Sequence, residues 1–367
     1  MLKVCHILSG DLWAGAEVMS YHLLSELNGA PDVQLSVLIL NEGRLSRDLA
    51  TAGVRVQVID ESIHSFPKLI GLAREFLRME APDLVHSHRY KENLLALLAT
   101  RGNRQVALVA TQHGLPEVGR RNATFSQAMK SRINFYLLSR FFDRTVAVSH
   151  DIGAHLAQDH SFRNNGITVI HNGIPIPDAA PRDDRGSCMV IGSSGRLFEV
   201  KDYPLMVEVA ALVCGESKAR FALAGEGPTR QQVEVAIERH GLREGFTLTG
   251  HLDNMDAFYR GVDIYINTSV HEGIPMTILE AMARGIPVIA PDVGGIREIV
   301  DHGVQGFLIR GRAPRDFAAR CLELIENREL FAAMSTAARD KAVKLFSAHH
   351  MADNYHRLYR ELVETRS

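Results

Sequence analysis

Short β-branched and apolar runs alternate with longer mixed stretches along the whole chain. The runs at 3–8, 33–40, 54–59, 83–87, 107–111, 144–148 and 168–170 predict strands, and 17–27, 69–80, 91–100, 123–142 and 151–159 predict helices. Near-continuous apolar runs, rather than strict alternation, are what strands covered on both faces require. The pattern therefore predicts an α/β class of parallel sheets covered by helices. It starts afresh after HNGIPIPDAAPRDDRGS at 171–187, which holds three prolines and a charge cluster. New strands are expected at 188–193, 220–223, 246–248, 263–267, 288–290 and 306–309. This gives a first domain at 1–172, a linker at 173–187 and a second, similar Rossmann-like domain at 188–347. The end is all helix at 315–326, 329–346 and 348–364, the last with His349, Met351, Tyr355, Leu358, Tyr359 and Leu362 as its candidate buried stripe.

Composition narrows the classes. A chain of 367 residues exceeds one ordinary core, which agrees with two domains. A net charge of −2 provides no overall field for nucleic acid. Cys5, Cys188, Cys214 and Cys321 are scattered without a Cys-x-x-Cys pair, the pattern of free thiols in a reducing cytosol. The start, MLKVCHILSG, reads as a strand and glycine turn, and its apolar run is too short and broken for a signal peptide. No run of about 18 apolar residues predicts a membrane span. Neither half carries Gly-x-Gly-x-x-Gly after its first strand, which argues against a dinucleotide oxidoreductase. Gly-x-Ser-x-Gly and Asp-x-Asp are also absent, so no acyl-transfer elbow or acidic metal clasp is expected, and no cofactor.

The densest chemistry lies in YINTSVHEGIPMTILEAMARGIPVIAPDVGGIREIV, residues 265–300. Glu272 and Glu280 are eight apart, with Gly273 and Pro275 between them. Pro275 suits the first turn of a helix, where its missing N–H had no partner. Such a helix directs bare N–H groups and the positive end of its dipole at the loop of Glu272. An anion flanked by two carboxylates suits a ligand with phosphate in the middle and hydroxyl-rich groups at both ends, as in a nucleotide-sugar. Gly195-Arg196-Leu197 and Lys201 follow the first strand of the second half and place two cations at the ligand-binding edge of that sheet. Fixed cations stabilise a diphosphate leaving group as its charge grows.

This arrangement resembles the donor signature of family 4 (group 1) retaining glycosyltransferases of GT-B fold, in which two Rossmann-like domains face a cleft. The resemblance covers nearly the whole chain and is strongest in the second half. It implies that Arg196 and Lys201 hold the diphosphate, Glu280 the ribose hydroxyls and Glu272 hydroxyls of the transferred sugar. Gly273, Ile274, Pro275, Met276 and Thr277 complete that segment, and Gly225 and His251 lie in loops that line the base. In the first domain it implies that Gly15, in Trp13-Ala14-Gly15-Ala16-Glu17, and His113, in Thr111-Gln112-His113-Gly114, close the site. Ala14 departs from the family's Gly-Gly-Ala-Glu, and Asp202 from a common glycine. His113, Glu272, Arg196 and Lys201 are the catalytic candidates; His88, Trp13 and Gln112 are candidates for the acceptor cleft. His86-Ser87-His88 puts two imidazoles on one side of a strand end, but a zinc site lacks further ligands in the sequence. Ser149 and Asn172-Gly173 match family landmarks expected to shape hinge and cleft. The last helix is expected to cross back to the first domain.

The implied reaction is metal-independent transfer of a hexosyl group with retention, from a UDP-sugar, with GDP-mannose next, to a saccharide or lipid-linked acceptor in bacterial surface polysaccharide or glycolipid synthesis. An epimerase of the same fold and a non-catalytic nucleotide-sugar-binding subunit are the alternatives. Between Arg101 and Arg144, Arg120, Arg121, Lys130, Arg132, Arg140 and Arg144 face few acids. Met129, Ile133, Tyr136, Leu137 and Phe141 form one side of the helix there. That helix either packs on its domain behind a solvated basic face or meets anionic lipid at the inner membrane surface.

Overall fold

The structure, a computed structural model, describes residues 1–11, 13–103, 105–114, 125–158, 162, 166–178 and 188–366, with the side chains of 125–128 excepted. Arg120, Arg121 and residues 179–187 of the expected linker lie outside the described residues. The chain forms two compact units, one from Met1–Pro175 with Ala348 onward, the other Ile176–Ser347.

The first unit is a seven-stranded parallel sheet. Its strands are β1 (Leu2–Leu8), β2 (Val33–Ile39), β3 (Arg55–Val58), β4 (Leu84–Ser87), β5 (Ala107–Gln112), β6 (Arg144–Ala147) and β7 (Ile167–Val169). Their order is β3-β2-β1-β4-β5-β6-β7. Val4, Ile7, Val37, Ile39, Val85 and Val109 are almost fully buried, as strands with helices on both faces demand. Each such side chain contributes roughly 1.5–3 kcal/mol of transfer free energy. The helix Ala348–Glu364 belongs to this unit and packs on the helix Gly15–Asn28. Met351, Tyr355, Leu358, Tyr359 and Leu362 are its buried stripe, while the expected member His349 is exposed and faces Glu26 and Asp353.

One helix was not expected, and the orientation of another was left open. Arg44–Thr51 was not expected, because only Leu45 and Leu49 mark its apolar face. Its start is local: the Ser46 hydroxyl accepts the Gly43 N–H (3.1 Å) and donates to the Gly43 carbonyl (2.9 Å). The helix Phe125–Phe141, whose orientation was left open, turns the apolar side named above outward. Asn134, Phe135, Leu138 and, just beyond it, Phe142 are buried, whereas Met129, Ile133, Tyr136 and Phe141 are 41–56% exposed. Both sides carry apolar residues, and periodicity alone could not tell which side packs.

The second unit is a six-stranded parallel sheet, ordered β10-β9-β8-β11-β12-β13. The strands are β8 (Val190–Ser194), β9 (Arg220–Ala224), β10 (Phe246–Gly250), β11 (Ile264–Ile266), β12 (Val288–Pro291) and β13 (Gly306–Ile309). Ile191, Phe221, Ile264 and Ile289 join Val207, Val213, Phe317 and Leu324 from covering helices in one core. Among the described residues no helix is long and apolar enough to cross a membrane.

Candidate functional site

In each sheet the chain winds outward in one direction and then returns to continue on the other side. Loops diverge where the direction reverses, which opens a crevice beyond the carboxyl ends of those strands. In the second unit the reversal lies between β8 and β11. The loop after β8 carries Gly195, Arg196 and a 3-10 turn, Glu199–Lys201; the loop after β11 carries Thr268, Ser269 and Glu272. The loops are laced together: the Thr268 hydroxyl donates to the Lys201 carbonyl (2.9 Å), and the Val270 N–H to the Val200 carbonyl (2.8 Å). This brings the Lys201 Nζ to 2.5 Å from Glu272 Oε1, which also accepts the Ser269 hydroxyl at 2.6 Å. Both charged side chains are half-buried.

Backbone packing sets the position of Glu272. The Gly295 N–H donates to the Glu272 carbonyl (3.1 Å), and a Cβ on Gly294 would lie 2.0 Å from that same oxygen. Only glycine allows this approach. Gly294-Gly295 is recognisable in the sequence, yet its role as a backstop for the Glu272 loop needs the fold. The loop after β9 is fitted to the loop after β8 in the same way: a Cβ at Gly225 would lie 1.9 Å from the Gly195 carbonyl oxygen. The Gly225 N–H in turn donates to the Gly250 carbonyl (2.8 Å), so three successive strand ends meet at one edge.

Pro275 is the N-cap of the helix Met276–Ala283 and stands one residue before the expected first-turn position. Ile274, Pro275 and Met276 are buried, and Gly273 and Thr277 partly exposed. Glu280 lies little more than one turn into the helix. Its Oε2 accepts the Tyr259 hydroxyl at 2.6 Å, and that hydroxyl is 3.0 Å from the Ser194 hydroxyl at the end of β8. Burial raises the Glu280 carboxyl above its ordinary pKa, against the lowering effects of Tyr259 and Arg284. Arg196 is exposed and lies over the Phe198 ring, 4.8 Å from its centroid, and His251 is exposed beside Asp253. Lys201, Glu272 and Glu280 thus form the ordered part of this edge, and the Arg196 and His251 side chains extend from it.

Asp202 adopts a left-handed backbone, φ 46°, ψ 52°, which accounts for the glycine common at that position. Its carboxylate pairs with Arg312, whose guanidinium also donates to the Thr268 and Ser269 carbonyls (2.6 and 3.1 Å). Asp202 therefore anchors the two loops through Arg312, at the cost of a strained residue.

In the first unit the reversal lies between β1 and β4, where His6 pairs in register with His86. Gly15 opens the helix Gly15–Asn28, with Ala14 extended as its N-cap. In that first turn Glu17 is buried and pairs with Arg89. Trp13 lies under the Arg44 guanidinium (4.4 Å to the ring centroid), and Gln112 donates to the Gly114 carbonyl. His88 is buried with Nδ1 3.1 Å from His113 Nε2. Ser149 caps the following helix by accepting the Ile152 N–H (3.1 Å), and the Gly173 N–H meets Met351 Sδ at 3.1 Å. His6 was not singled out in the sequence, because a lone histidine in an apolar strand has no motif. Its signal is the register with His86, which a sequence does not display.

Residues 185–341 match the family described as Glycosyl transferases group 1, and residues 13–176 match Glycosyltransferase Family 4. The chain belongs to the group 1, family 4-like glycosyltransferases. It is 28% identical over 283 residues to the D-inositol 3-phosphate glycosyltransferase of Thermobispora bispora, covering 70% of this chain and 65% of that protein. The chain thus spans less than two thirds of the length of that relative. It is 23% identical over 384 aligned positions to the UDP-Gal:alpha-D-GlcNAc-diphosphoundecaprenol alpha-1,3-galactosyltransferase of Escherichia coli, covering 99% of this chain and 97% of that one. The crystal structure of Anabaena Alr3699/HepE in complex with UDP-glucose superposes with a TM-score of 0.85 at 20% identity, covering 99% of this chain and all of that one. The two Rossmann-like units are those of the GT-B class.

Proposed function

We propose that the protein transfers a hexosyl group from a nucleotide-diphosphate sugar, a UDP-sugar first, to an acceptor hydroxyl, with retention of configuration and without a metal. The observation that carries the reading is the Lys201–Glu272 contact at the reversal point of the second sheet, with Glu280 on the adjoining helix. A cation there can meet the pyrophosphate and take up charge as the glycosidic bond breaks. Glu272 offers an acceptor to hydroxyls of the sugar, and Glu280 an acceptor to the ribose. Arg196 is exposed over the Phe198 ring, a position from which it can swing onto the phosphates. The UDP-glucose bound by the Anabaena protein and the UDP-Gal in the name of the Escherichia coli relative favour a uridine donor.

Thermal shift with UDP-, GDP- and ADP-sugars, followed by incubation with acceptors, tests this. A ligand at a hundred times its Kd adds about 2.7 kcal/mol to the folded state. The melting point is expected to rise by several degrees with a UDP-sugar, and a new glycoside to form at an unchanged rate in EDTA. An isomerised donor would point to an epimerase, and binding without turnover to a non-catalytic subunit.

The exposed face of the helix Phe125–Phe141 favours a lipid-linked acceptor. Met129, Ile133, Tyr136 and Phe141 stand outward with Lys130, Arg132 and Arg140, a combination suited to an anionic bilayer surface. The protein is expected to sediment with vesicles containing phosphatidylglycerol and not with neutral ones. Ile133→Asp with Tyr136→Asp should release it; sedimentation unaffected by that pair, or none at all, removes this surface from the proposal.

A further inference from the structure

Seven side chains of the first unit form one unbroken hydrogen-bonded chain. The Tyr355 hydroxyl is 3.0 Å from Thr111 Oγ1, and Thr111 Oγ1 is 2.8 Å from His86 Nε2. His86 Nδ1 is 2.6 Å from the Tyr359 hydroxyl, which is 3.3 Å from His6 Nε2. His6 Nδ1 is 3.1 Å from His88 Nε2, and His88 Nδ1 is 3.1 Å from His113 Nε2. All but His113 are buried, and His113 is partly exposed.

Such a chain has a direction. Burial lowers His6 to about 3 and holds His86 and His88 well below the ordinary histidine value. Burial and then the Arg89 charge bring His113 to about 3. Each ring is therefore neutral and carries one N–H, so it donates on one side and accepts on the other. Four arrangements satisfy every link, because a hydroxyl donates once but can accept twice. With protons directed from Tyr355 towards His113, each donor has an acceptor. In the other three, in which His113 carries Nε2–H, the proton of one buried hydroxyl, that of Tyr359, Thr111 or Tyr355, has no partner in the chain. An orphaned buried donor is the costlier choice.

We propose that this chain is a directional relay, running from Thr111 through Tyr359 of the C-terminal helix, that fixes His113 as the Nδ1–H tautomer. His113 then presents a permanent N–H donor at Nδ1, the state needed to hold a sugar oxygen or an oxygen gaining charge. That last role rests on the transferase reading; the tautomer does not. His6, His86 and His88 could also converge on a cation, since they offer ligand atoms within 4.8 Å of one another. All six of their nitrogens are already engaged in the chain, so a cation would break it at several links.

Long-range ¹⁵N–¹H spectra of ¹⁵N-histidine-labelled full-length protein test the relay without a donor or acceptor. The His113 signals are assigned by their loss in His113→Gln. Nδ1–H is expected to exceed Nε2–H at His113 by about tenfold or more. Tyr359→Phe cuts the relay and is expected to leave His113 with a mixture of both tautomers. Tyr355→Phe removes a buried hydroxyl from the same helix but leaves Thr111 as terminal donor, so the Nδ1–H form should persist. A His113 that is Nε2–H in the unaltered protein, or one indifferent to Tyr359→Phe, overturns the proposal. So does a stoichiometric metal found by elemental analysis of the purified protein. Where the transferase reading holds, Tyr359→Phe should lower kcat with KM nearly constant and Tyr355→Phe should change neither. A normal kcat in Tyr359→Phe with mixed tautomers would remove the part of the proposal that concerns the reaction.

Discussion

Lys201→Met is expected to lower kcat of sugar transfer by about two to three orders of magnitude, the loss seen when one fixed donor to a developing anion is removed. Lys201 is paired with Glu272 at 2.5 Å, with the Ser269 hydroxyl on the same carboxylate oxygen. An arriving pyrophosphate would place the ammonium between two anions. Its attraction to the phosphate grows as the bond to the sugar breaks, while its attraction to Glu272 stays nearly constant. That difference is what accelerates the step. Methionine keeps the length and the apolar stem but no charge, so the loop geometry set by Thr268, Val270 and Arg312 should survive. Steady-state kinetics with circular dichroism as a folding check decide the matter. Transfer within tenfold of the unaltered rate would mean that the diphosphate is held elsewhere. Arg196→Ala added to Lys201→Met should deepen the loss, because Arg196 leaves its ring contact with little to restrain it.

How far the sequence exposes such a site depends on whether a feature is local. Glu272, Pro275 and Glu280 could be read because their relation is set within one loop and one helix. The positions of the strands along the chain could be read because buried parallel strands are nearly continuous apolar runs, such as the ALVA that opens β5. The Lys201–Glu272 ion pair joins residues 71 apart, and only the adjacency of β8 and β11 creates it. The Gly294 backstop and the Asp202–Arg312 anchor are similarly long-range. The side of Phe125–Phe141 that packs was left open for another reason: a helix with apolar residues on two sides has no single period to follow. Tyr355 and Tyr359 were legible as core but not as hydrogen-bonding groups, because their partners, Thr111 for Tyr355 and His86 and His6 for Tyr359, come from strands 244 to 353 residues away.

Glu272 and Glu280 are expected to respond differently to the same isosteric change, and the difference tests their roles. Glu272→Gln removes the charge that holds Lys201 and weakens an acceptor for sugar hydroxyls. A hydrogen bond to a charged group contributes about 1.5–3 kcal/mol. The expected loss in kcat/KM is therefore about tenfold to a hundredfold or more, mostly in kcat. Glu280→Gln retains an amide oxygen that can accept the Tyr259 hydroxyl in place of Oε2. It also relieves a buried carboxyl whose ionised form is disfavoured by desolvation, so stability should be preserved or improved. Ribose hydroxyls contribute nearly equal binding before and during the chemical step, so the loss should appear in KM for the donor, with kcat within about tenfold. Equal losses in the two variants, or a greater loss of kcat in Glu280→Gln, would remove the assignment of Glu272 to the transferred sugar and Glu280 to the ribose. The Lys201→Met result would stand apart from that outcome, because it concerns the phosphate and not the hydroxyls on either side.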